Sequence, residues 1–111
     1  MSQLASIAPE FVAEVSDSLT AEGRAELASQ IPAAIVERCT YDSSVNAGYI
    51  YLVHPAPTFP FTNLATQIAE TIPFFGESGF NVDVDYDGNV RGIELLSRDD
   101  VFAKLRAANA L

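Results

Sequence analysis

Residues 80–95 read FNVDVDYDGNVRGIEL, and their period constrains this chain more than any other stretch. Phe80, Val82, Val84 and Tyr86 alternate with Asn81, Asp83 and Asp85. A strict two-residue period marks a half-buried strand. Ile93 and Leu95 resume the apolar side beyond Asp87-Gly88-Asn89, with Glu94 between them. Asp-Gly and Gly-Asn both favour a tight two-residue hairpin turn. A turn at Asp87-Gly88 sets Val82 opposite Ile93, and one at Gly88-Asn89 sets Val84 there. Either register keeps the apolar side chains on one face. Asp83, Asp85, Asp87 and Glu94 are then expected together on the other face.

The same residues also fit the calcium-loop pattern D-x-[DN]-x-[DN]-G-x₅-E, with Gly88 at its glycine position. An EF-hand needs a helix entering that loop. Here GESGFNV precedes Asp83, and glycine inside a helix costs about 1 kcal/mol relative to alanine. Arg91 would bring a positive charge towards a dication, and the next helix signal is delayed to Ser97. The sequence therefore reads as a hairpin. Three uses of its carboxylates stay open: a solvated face, a docking face for a basic partner, or a calcium site of non-EF type through Asp83, Asp85, Asp87 and Glu94.

Upstream the period is helical. Ile7, Phe11, Val12, Val15 and Leu19 fall on one side of a helix whose first turn holds Pro9 and Glu10. Thr20 reads as the N-cap of a second helix carrying Leu27, Ala28 and Ile31, weakened by Gly23 and ended or bent at Pro32. Acidic residues outnumber the single Arg24 in this pair, which argues against DNA reading. Residues 35–41 and 48–53 are β-branched or aromatic runs around the turn-rich DSSVNAG, a second hairpin. HPAPTFPF, residues 54–61, has three prolines and reads as a rigid extended loop. Residues 64–72 fit either a strand or a helix. Ser97 reads as the cap of a final helix with Val101, Leu105 and Ala108 on its apolar stripe and Asp100 in capping-box position.

At 111 residues and 49% hydrophobic content, with seven Phe and four Tyr, the chain suits one domain with a modest core. No apolar run approaches the roughly 20 residues a membrane span needs. The N-terminus lacks a basic region before an apolar one, so no secretory signal is expected. Cys39 is the only cysteine and cannot form an internal disulfide, which fits a reducing compartment, the cytoplasm. Net charge is −9, from fifteen acidic and six basic side chains spread along the chain. Phosphate backbones repel such a surface, so nucleic acid is not an expected partner and a basic protein is.

Catalytic patterns are missing. His54 is the only histidine, stands beside Pro55, and reads as a loop residue. With Cys39 on a different strand, a His/Cys metal cluster is not expected. Cys39 itself reads as a small buried apolar group. No G-x-S-x-G elbow supports a Ser-His-Asp arrangement, and no glycine-rich phosphate loop occurs. Paired carboxylates for glycoside hydrolysis would need a cleft. Phe59 and Phe61 in the proline-rich loop read either as plugs at the core edge or as anchors for a partner or a second copy.

TYDSSVNAGYIYL and VDVDYDGNVRGIELL resemble the small bacterial family catalogued as domain of unknown function 2283. Its members carry a YD-x-x-x-D-x-x-YI-x-L segment and then a D-Y-D-x-x-G-x-V-x-GIE-[IL] segment. Tyr41, Asp42, Tyr49, Ile50 and Leu52 match the first. Asp85, Tyr86, Asp87, Val90, Gly92, Ile93, Glu94 and Leu95 match the second. Asn46 stands near a usual aspartate, and residues 54–61 lengthen the middle. The resemblance covers roughly residues 38–97 and implies a compact β-meander with a terminal helix, and no catalytic residues.

The expected fold is α+β in one domain over residues 1–111. Residues 1–34 form two N-terminal helices, 35–97 a mainly antiparallel β-meander of four or five strands, and 98–111 a C-terminal helix. The expected function is an acidic protein-binding module without catalysis or cofactor. Its concrete version is an immunity protein or antitoxin that neutralises a basic partner through Asp83, Asp85, Asp87, Glu94, Phe59 and Phe61. A self-associating accessory protein and the calcium module are the alternatives.

Overall fold

The computed structural model describes residues 2–56 and 67–111. Among them, α1 (Leu4–Ile7), α2 (Pro9–Ala21) and α3 (Ala25–Ala28) come first. Strands β1 (Val36–Asp42) and β2 (Ala47–Leu52) form a hairpin, and β3 (Ile68–Pro73) follows. A single turn, α4 (Phe75–Ser78), leads to β4 (Phe80–Asp85), β5 (Val90–Leu96) and the final α5 (Asp99–Ala107). The strand order is β1-β2-β5-β4-β3, antiparallel at every step. This is the expected α+β arrangement of N-terminal helices, antiparallel sheet and C-terminal helix. Residues 68–73 are strand, while Phe59, Phe61 and residues 64–66 lie outside the described residues.

Three N-terminal helices stand where two were expected, because Ile7 ends a separate α1 at Ala8, and two helix ends differ as well. Pro9 and Glu10 do open α2, which buries Phe11, Val12, Val15 and Leu19. Thr20 caps nothing. It lies inside α2, and its hydroxyl donates to the Ser16 carbonyl at 2.9 Å. The helix ends at Ala21, and Gly23 just beyond its cap takes a φ of +76°, which suits glycine. The Arg24 N–H donates to the Leu19 carbonyl and the Gly23 N–H to the Thr20 carbonyl, the paired bonds of a Schellman stop. Gly23 therefore stops α2, where the sequence reading had it weaken a second helix. Likewise Ser97 does not cap α5. It sits at φ +55°, and Arg98 holds the N-cap position without a side-chain capping bond. The Arg98 guanidinium instead donates to Glu14, Asp100 and the Ser78 carbonyl at 2.8–3.1 Å. It thereby links α2 to the start of α5 and to α4.

One hydrophobic cluster unites both layers. Leu4, Phe11, Val15 and Leu19 meet Ile50, Leu52, Phe80, Val82, Ile93 and Leu95, with Val101, Phe102 and Leu105 completing it. Phe11 meets Phe80 edge-on at 5.6 Å between ring centroids, a geometry worth about 0.5–1.5 kcal/mol beyond area burial. Gly48 lets α5 approach, because a Cβ there would stand 2.8 Å from the Phe102 ring and 2.5 Å from the Thr40 carbonyl oxygen. Both outer strands carry a register shift, β1 between Val36 and Arg38 and β3 between Ile68 and Glu70. Among the described residues no helix is long and apolar enough to cross a membrane.

Candidate functional site

The buried side chains of α1, α2, α3 and α5 all join the one cluster. Among the described residues, the opposite face of the sheet is therefore left without a helix. Register sets out its side chains in rows. Arg38, Tyr51, Gly92, Asp83 and Thr71 cross the sheet in one row. Thr40, Tyr49, Glu94 and Asn81 make the next, and Ala47 and Leu96 a third.

Gly92 organises the first two rows. A Cβ at this position would lie 2.2–2.5 Å from the ring and hydroxyl of Tyr49, so only glycine leaves the ring this path. The Tyr49 hydroxyl then reaches Asp83 and donates to it at 2.6 Å. Thr71 donates to the other Asp83 oxygen, also at 2.6 Å. Burial and the Asp83 carboxylate push the Tyr49 phenol well above its ordinary range, so it stays a neutral donor. Tyr51 stacks beside Tyr49 at 4.5 Å between centroids, and Arg38 lies 3.7 Å over the Tyr51 ring. Both contacts belong to the families of aromatic and cation–π attraction.

Glu94 is half-buried and has no hydrogen-bond or ion-pair partner among the described residues. Burial, with the nearby Asp83 charge, raises its pKa above the ordinary carboxylate value.

The hairpin register is partly as expected. Val82 faces Ile93, as a turn at Asp87-Gly88 requires. The connection itself differs. The Asp85 N–H donates to the Asn89 carbonyl and the Gly88 N–H to the Asp85 carbonyl, enclosing three residues, with Gly88 at φ +80°. Val84 accordingly pairs with Val90, and the surplus residue is absorbed as a bulge at Arg91 before Asp83 meets Gly92.

That bulge overturns one expectation about the carboxylates. Asp85 does not share an exposed face with Asp83 and Glu94. It is 4% exposed. One of its oxygens accepts the Asp87 and Asn89 N–H groups at 2.9 Å. The other accepts from Arg91 at 3.4 Å, and Arg91 is 5% exposed. Arg91 also donates to Gln67, and its Nε is buried without a partner among the described residues. Asp87 is exposed at the turn. A calcium centre would need the four carboxylates gathered about one point. Asp83 is held by two hydroxyls, Asp85 by the turn and Arg91, and among the described residues no group of three or more His, Cys, Asp or Glu side chains could hold a metal ion.

Tyr49, Tyr51, Arg38, Thr71 and Gly92 were not singled out as site residues from sequence. The signal existed for the tyrosines, which alternate with Ile50 and Leu52 and so must leave β2 on the side away from the core. Elsewhere, His54 lies in a loop with Nδ1 2.7 Å from the Pro55 carbonyl oxygen. Cys39 is only partly buried, and burial pushes its thiol up to about 11, which keeps it protonated and unreactive at neutral pH.

No curated protein and no solved structure matches the chain. Residues 38–97 match the family described as protein of unknown function (DUF2283), and they include every residue named above on the open face. The match spans more than half of the 111 residues, and the chain belongs to that family.

Proposed function

We propose that this chain is an acidic protein-binding module that captures a basic protein through the open face of its sheet, as an immunity protein or antitoxin does. The observation that carries this reading is the way the few basic residues are used. Arg24, Arg91 and Arg98 engage Glu70, Asp85, Glu14 and Asp100 within the fold. Most of the fifteen Asp and Glu side chains are exposed, with Arg38, Lys104 and Arg106 the remaining cations. A field of one sign speeds encounter with a basic partner and disfavours acidic ones. The open face adds half-buried tyrosines, a residue type enriched in binding interfaces.

The test is capture from a lysate of the native host at low salt, identification of what is retained, and release by added salt. Asp87→Lys with Glu94→Lys, on the hairpin, is expected to abolish capture of one basic protein. Asp17→Lys with Glu22→Lys, on α2, is expected to leave it. Capture that ignores salt, or is lost only with the α2 pair, would overturn the reading.

A further inference from the structure

The open face repeats one arrangement with a part missing. In the first row, Tyr51 is flanked on β1 by Arg38, whose guanidinium covers its ring at 3.7 Å. In the next row, Tyr49 is flanked on β1 by Thr40, which is short and uncharged. On its other side stands Glu94, with no hydrogen-bond or ion-pair partner among the described residues. Asp83 is already engaged within the fold, with Tyr49 and Thr71 each donating to one of its oxygens, whereas Glu94 accepts nothing among the described residues. The third row runs from Asp42 through Ala47 to Leu96, and its β5 end is apolar, with Leu96 37% exposed.

Resting on the proposed function, we infer that this face takes an arginine side chain of the basic partner at Tyr49 and Glu94. The guanidinium lies against the Tyr49 ring and donates to the Glu94 carboxylate, and the methylene stem runs along Leu96. Arginine fits better than lysine for two physical reasons. Its planar group stacks on an aromatic face while keeping its edge donors free for a carboxylate, and it is the more weakly hydrated cation. The chain itself shows the stacking half of this contact at Arg38 and Tyr51. The missing cation is the one that charge complementarity asks for, since Glu94 is an unneutralised carboxylate on a chain of net charge −9.

The probe is a hexa-arginine peptide titrated into the full chain at low salt and followed by amide NMR, with hexalysine and hexacitrulline as comparisons. Shifts are expected to centre on Tyr49, Glu94 and Leu96. Hexalysine is expected to bind more weakly, and hexacitrulline, which keeps the shape and loses the charge, not to bind. Glu94→Gln preserves the side-chain shape and is expected to weaken hexa-arginine about tenfold, as loss of one charge-assisted pair does. Asp87→Asn makes the same charge change at the turn and is expected to have a much smaller effect. Equal loss for both variants, or shifts centred elsewhere, would overturn the arginine site while leaving an acidic docking surface standing. No binding of either cationic peptide would remove both.

Discussion

At the turn end of the β4–β5 hairpin, Asp85 and Arg91 are buried side by side, and the carboxylate also takes two backbone N–H groups. A few residues along the same two strands, Asp83 and Glu94 sit half-buried on the open face. There Asp83 is met only by neutral hydroxyls, and Glu94 has neither a hydrogen bond nor an ion pair among the described residues. One motif thus holds charge in two ways. The bulge at Arg91 separates them, because it turns that side chain towards Asp85 and sets the strands back in register for Val82 and Ile93. Where charge is sealed in, it serves the fold. Where it is left unmatched, it is available to something outside.

The largest expected effect breaks the sealed end. Asp85→Ala leaves Arg91 buried without its counter-charge and frees two turn N–H groups. Removing one partner of a buried pair costs about 3–5 kcal/mol, and denaturant unfolding should show a loss of that size. A loss under 1 kcal/mol would mean that water already reaches Arg91. Next comes Gly92→Ala, which pushes the Tyr49 ring out of its path. Overpacking of this kind costs about 1–3 kcal/mol, and the Tyr49–Asp83 bond should disappear from the structure of the variant. A variant with full stability and the bond intact would show that glycine is not required there.

The smallest effect has the opposite sign. Glu94 has a raised folded-state pKa, so protonation favours the folded chain. Its contribution is fully present below the unfolded carboxyl pKa and is lost as pH rises through the folded value. At neutral pH, Glu94→Gln is therefore expected to raise stability slightly, by less than either other change moves it. The gain should fade as the solution is acidified through the carboxylate range. A loss of stability at neutral pH would show that the ionised side chain has a partner within the chain.

Much of this sheet was legible in the sequence because alternation is a direct image of the pleat. Val82, Ile93 and Leu95 are buried as the period requires, and Tyr49 and Tyr51 leave the core side to Ile50 and Leu52. The bulge was also written there. Val90 and Ile93 are three apart, an odd step that a regular strand cannot place on one face, and both are buried. Reading the hairpin as two regular strands hid this, and with it the burial of Asp85. The N-terminal boundary failed for a different reason. Threonine and glycine both carry local signals, but Thr20 can satisfy its hydroxyl against the preceding turn, whereas a residue at positive φ must be accommodated wherever it falls. The Tyr49–Gly92–Asp83 contact has no local signal at all, since it joins three strands and depends on their register.

The register shifts in β1 and β3 bear on how copies of this chain behave when crowded. An outer strand offers a row of backbone donors and acceptors, and a long regular row is a template on which another strand can grow. Here each row changes step after its first residues, and the charges of Glu37, Arg38 and Asp42 on one edge, with Glu70 and Pro73 on the other, stand along what remains. A foreign strand laid on either edge loses its alignment before it can pair along the full length. The margins thus discourage sheet-to-sheet growth even though, among the described residues, no helix covers the tyrosine-bearing face.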